Sequence, residues 1–130
     1  MFQVPTAIAL LLAVSAMACN SNVNSAFERE RNAVEHAMPS ESRLLSSVGA
    51  RRNSGAVEAS WRYEIDGSTD DVKSTLRTAF KSNYQLVHED ADSLSFARFE
   101  SGDSFHLNVS LEAQRKGPIE INIVLKALPD

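Results

Sequence analysis

Three stretches of this chain alternate apolar and polar residues with a period of two, and no other feature limits its fold as tightly. In "AVEASWRYEID", Val57, Ala59, Trp61, Tyr63 and Ile65 point one way, while Glu58, Ser60, Arg62, Glu64 and Asp66 point the other. Phe105, Leu107, Val109 and Leu111 repeat the pattern, as do Ile119, Ile121, Ile123 and Leu125. A strand of this kind buries one face and wets the other. The chain is therefore expected to build an antiparallel sheet that is polar on one side and covered on the other.

The cover is expected from "STDDVKSTLRTAF". Val72, Leu76, Ala79 and Phe80 fall on one helical face. Ser68 or Thr69 is placed to cap the first turn, and Asp70 and Asp71 favour its positive end. Shorter strands are expected over Tyr84 to His88 and Ser93 to Phe99, with "EDAD" as a turn and "ESGD" as a hairpin tip. The predicted fold class is α+β: a four- to five-stranded antiparallel sheet with one helix packed across one face (β-α-β-β-β-β), preceded by a short N-terminal helix. The first of these strands is expected to pair antiparallel with the last, giving the order 2-3-4-5-1; a parallel pairing beside the second strand is the alternative. The N-terminal helix is read from Phe27, Val34 and Met38, and its charges, Glu28, Arg29, Glu30, Arg31 and Glu35, as a solvated face. Residues 40–55, rich in Ser, Gly and Arg, read as a linker, with Arg51 and Arg52 exposed in it.

The opening residues read differently. Ala7 to Val14 is continuously apolar but far short of the ~20 residues that span a bilayer. It has the length of a secretory leader and ends in "AMAC" at Ala16, Met17, Ala18 and Cys19. This segment resembles the lipobox of bacterial lipoproteins, although that family prefers Leu where this chain has Ala16. The resemblance implies cleavage after Ala18, a diacylglyceryl thioether and further acyl chains such as palmitate on Cys19, and a protein held to the cell envelope facing the periplasm. Asn20, which is not Asp, implies the outer membrane; a secreted or soluble periplasmic protein is the alternative. The expected organisation is 1–18 signal peptide, 19–25 lipid-anchored tether, 26–55 short helix and linker, and 56–130 α+β domain.

Composition narrows function mostly by exclusion. With 130 residues and 43% of them hydrophobic, the chain suits one domain. Its 17 acidic and 13 basic residues leave a net charge of −4, which gives no global field for nucleic acid. A single cysteine closes no internal disulfide. His88, Glu89, Asp90 and Asp92 are the densest group of metal-ligand types, but successive strand residues face opposite ways, so no metal is assigned. No cofactor and no catalytic residue are assigned either. His106 on the polar strand face, with Asn108, Asn122 and Arg62 on the same or adjacent strands, is the one grouping a small hydrolase would use. Lys73, Arg77 and Lys81 form a basic line on the helix that either covers the core edge or meets headgroups. Trp61 and Tyr63, in phase with Val57 and Ile65, are expected in the core. "SGDSF" at 101–105 is similar to the S-G-x-x-Y loop of small periplasmic lysozyme-inhibitor lipoproteins, with Phe105 at the tyrosine position.

The favoured reading is a non-enzymatic, membrane-anchored envelope lipoprotein that binds a protein partner or an envelope component. Lys73, Arg77, Lys81 and His106 are its candidate surface contacts. An immunity or inhibitor protein against a secreted toxin or lysozyme, and a hydrolase centred on His106, are the alternatives.

Overall fold

The computed structural model of the chain describes residues 25–53, 55–100 and 102–129. A first helix, α1, runs through 25–37. After it come β1 (Arg43–Asn53), β2 (Ala56–Ile65), α2 (Thr69–Phe80), β3 (Gln85–Glu89), β4 (Ser93–Glu100), β5 (Asp103–Glu112) and β6 (Ile119–Pro129). All six strands join one sheet in the order β1-β2-β6-β5-β4-β3, and every pairing is antiparallel.

This corrects the expected fold. The sheet has six strands rather than four or five, and two helices pack on it rather than one. The additional strand is β1, formed by residues read above as linker. It lies at the sheet edge, and each of its residues with a described side chain is exposed, so no buried alternation marks it in the sequence. The other five strands stand in the expected order, with β2 beside β6.

One face of the sheet is the core. Trp61, Phe96, Phe105, Leu107, Ile121, Ile123 and Leu125 are each at most 2% exposed, under Leu76 and Phe80 of α2 and Phe27 and Val34 of α1. Trp61 and Tyr63 lie in this layer as expected. Ser68 is the N-cap of α2 and accepts a hydrogen bond from the Asp71 amide at 3.1 Å. The helix closes through a turn in which the Tyr84 amide donates to the Phe80 carbonyl at 2.9 Å. Gly55 and Gly102, at φ +84° and +85°, occupy the left-handed backbone that the β1–β2 and β4–β5 turns require.

The topology sets the ends of the molecule. β1, β4, β6 and α2 run toward one end of the sheet, and β2, β3, β5 and α1 run away from it. That end collects the β1–β2 and β4–β5 turns, the close of α2 and the opening turns of α1. A cleft lined by Glu28, Ala50, Arg51, Arg52 and Val57, and another lined by Ala26, Arg29, Asn83, Arg98 and Glu100, fix α1 there.

Candidate functional site

Because both helices pack on one face, the other face carries no helix among the described residues. The strand register orders its side chains in rows across the sheet. One row runs Val48, Ser60, Val124, Asn108, Ser95, His88; the next is Ser46, Arg62, Asn122, Ser110, Ser93. A third runs Arg51, Glu58, Lys126, His106, Ala97, Gln85. The middle of the face is therefore Ser, Asn and Val, and charge collects around it. Arg62 donates to Glu120 at 2.6 Å, Arg43 to Glu64 at 2.9 Å, and Lys126 stands 3.8 Å from Glu58. Hydrogen bonding to Glu120 and to Glu64 raises the Arg62 and Arg43 guanidinium pKa above the ordinary arginine value. A depression of about 170 Å³ opens beside Val48, Arg51, Ser60 and Val124.

His106 stands on this face, but the grouping a hydrolase would use does not assemble around it. Its cross-strand neighbours are Ala97 and Lys126, whereas Asn122 lies opposite Arg62 and Ser110. The His106 Nε2 is 3.3 Å from Ser104 Oγ, and its ring meets Phe99 edge-on with centroids 6.3 Å apart. Phe105 is 1% exposed beneath the Arg98 guanidinium, so it cannot serve as the exposed loop aromatic that an inhibitor loop would need. Among the described residues no His, Cys, Asp and Glu gather at a separation that would hold a metal ion.

The basic line on α2 is divided by the fold. Lys73 is only 7% exposed, 3.0 Å from Glu89 and donating to the Asp90 carbonyl at 2.5 Å. Arg77 makes a two-pronged contact with the same carboxylate at 3.1 and 2.9 Å. These two residues pin β3 to α2, and Lys81 alone remains exposed and without an ion pair among the described residues. Hydrogen bonds from Lys73, then from Arg77, pull the Glu89 pKa below the ordinary carboxylate value. A carboxylate whose folded pKa is depressed stabilises the fold above its unfolded pKa and loses that contribution as pH falls through the folded value. Thermal unfolding followed by circular dichroism should therefore show the melting temperature falling from pH 5 toward pH 2. Glu89→Gln should remove part of that slope and lower the melting temperature at neutral pH.

A second cluster was not expected from the sequence. Glu30 of α1 is 5% exposed, accepts a hydrogen bond from the Tyr84 hydroxyl at 2.6 Å and pairs with Arg98 of β4. Burial holds the Tyr84 hydroxyl neutral, with its pKa pushed up to about 12. The signal was present: Glu30 lies three residues after Phe27 and four before Val34, on the buried stripe rather than the solvated face. Arg98 is likewise in phase with Leu94 and Phe96, and faces α1.

Neither a family model nor any curated protein matches the chain. Among solved structures it is similar to that of LpqN, described as involved in cell envelope biogenesis of Mycobacterium tuberculosis. That likeness has a TM-score of 0.39 and 10% identity over 72% of this chain and 69% of the other. At this level it transfers no activity. Ala18, Cys19 and the leader they close lie outside the described residues. Among the described residues no helix is long and apolar enough to cross a membrane.

Proposed function

We propose that the chain is a lipid-anchored envelope lipoprotein, acylated at Cys19, whose open sheet face is a non-catalytic binding surface for a protein or envelope component. The observation that carries the binding role is the arrangement of that face: an uncharged middle of Ser60, Asn108, Val124, Ser95 and Ser110 inside a border of ion-paired side chains. Recognition surfaces place charge at the rim, because desolvating an unpaired charge at the centre costs more than it returns. Six strands make the face about 24 Å wide, enough for a specific contact of ordinary size. The anchor is supported by the short apolar leader and its "AMAC" close.

Two measurements test the proposal. Intact mass and detergent partitioning of the native protein should show acyl mass and a detergent-phase protein, and Cys19→Ser should lose both; a native protein without acyl mass overturns the anchor. A photo-crosslinking residue at Asn108 should give one discrete adduct in whole cells that Ser60→Arg abolishes, and the same residue at Ser74 on α2 should give none. Absence of the Asn108 adduct, or its persistence in Ser60→Arg, overturns the binding face.

A further inference from the structure

The described chain is electrically polarised along the strand direction. Arg29, Arg51, Arg52 and Lys81 are exposed and carry no ion pair among the described residues, and all four lie at the end of the sheet where α1 begins. The acids at that end are mostly occupied: Glu28 by Arg31 at 2.7 Å, Glu100 by Arg98 at 2.8 Å, and Glu58 by Lys126. Asp103 is the exception, without an ion pair among the described residues. The opposite end holds Glu41, Asp70, Asp71, Asp92 and Glu112, with Arg115 and Lys116 as cations that make no ion pair among the described residues, while Asp66 stands 3.7 Å from Arg43. A protein of net charge −4 thus presents a basic end and an acidic end.

Two of the large apolar side chains that meet water lie at the basic end; among the described residues the others, Leu44, Leu45, Val48 and Val87, lie on the edge strands β1 and β3. Phe99 is 70% exposed and Leu128 38% exposed, and both stand in one row across β4, β5 and β6, joined through Ser104. Cys19 lies six positions before residue 25, a reach of about 20 Å when fully extended. An acyl anchor at Cys19 would therefore hold this end, and not the acidic one, against the bilayer.

The geometry points to this end as a membrane-docking surface: Arg29, Arg51, Arg52 and Lys81 meet the phosphates of anionic lipid headgroups while Phe99 and Leu128 enter the interfacial layer. The orientation rests on the anchor proposed above; the surface itself does not. Acyl chains and a basic patch act additively on membrane affinity. Repulsion of the acidic end turns the open sheet face sideways, so that it stays accessible above the bilayer.

The test uses the full chain carrying Cys19→Ser, with leader removal verified by mass, and two sets of vesicles: phosphatidylcholine alone, and phosphatidylcholine with phosphatidylglycerol. Flotation at low salt should recover the protein with the second set and not the first, and recovery should fall as salt shortens the screening length. Arg51→Gln with Arg52→Gln should lower partitioning by about 25-fold, since each basic residue near an anionic surface contributes roughly fivefold. Arg115→Gln with Lys116→Gln, at the far end, should leave it unchanged. Equal recovery with both vesicle sets overturns the proposal, as does an Arg51/Arg52 variant that floats like its parent or a far-end variant that fails equally. Loss of the anchor reading shows instead as missing acyl mass on the native protein, a separate readout.

Discussion

Glu30→Ala should destabilise the protein by about 3 kcal/mol, seen as a lower urea midpoint with the unfolding slope unchanged. The carboxylate bridges α1 to two other elements, taking the Tyr84 hydroxyl at 2.6 Å and the Arg98 guanidinium. Its removal leaves a partly buried cation with only Glu100 beside it and a buried hydroxyl with no acceptor, and unmade polar contacts cost more than made ones contribute. Arg98 Nε is already buried without a partner, so the site has little spare hydrogen bonding to redistribute. Tyr84→Phe, which deletes one donor and keeps the ring, should cost about 1 kcal/mol. Glu30→Leu combined with Arg98→Met should cost less than the two single changes added together, because no unpaired charge remains. Additive costs would show that Glu30 and Arg98 are not coupled.

Phe80→Ala should cost about 3–5 kcal/mol. Phe80 ends α2 with no exposed surface, its ring centroid 5.6 Å from that of Phe96 and 6.4 Å from that of Tyr84. Truncation opens a cavity at the point where α2, β4 and the start of β3 meet, and the sheet beneath cannot move in to fill it. Since Tyr84 contacts both Phe80 and Glu30, Phe80→Ala and Tyr84→Phe should not add. Thermal unfolding of the two single variants and the double variant gives the coupling. A loss below about 1 kcal/mol for Phe80→Ala would mean that α2 does not seal this end of the core.

What could be read in the sequence tracks burial. β2, β5 and β6 each have one wholly buried face, so their alternation survives in the residue order, and the pairing of β2 with β6 follows from it. β1 left no such trace. Its register breaks between Leu44 and Ser46 and again between Val48 and Arg51, so Leu44 sits opposite buried Tyr63 while Val48 sits opposite outward-facing Ser60. The apolar residues of β1 therefore do not keep to one parity, and exposure removes the pressure that would make them do so. Glu30 and Arg98 were hidden for the reverse reason: each occupies a core-facing position with a charged residue, and only the partner from a distant element makes that position tolerable. His106, Lys73 and Arg77 were visible as residue types, but their partners were not. Cross-strand register separates His106 from Asn122, and β3 brings Glu89 back against Lys73 and Arg77.

The two irregular pairings of this sheet are its outermost ones, β1 with β2 and β3 with β4, whereas the three inner pairings run without a break. A flat rim of free amides and carbonyls is a template on which another molecule can extend the ribbon, and a kink denies it a continuous run. Neighbouring copies held side by side, as tethering to a two-dimensional surface would hold them, meet at rims that are bent out of line. On such a surface, crowding would press the molecules together without offering an unbroken edge for strand addition.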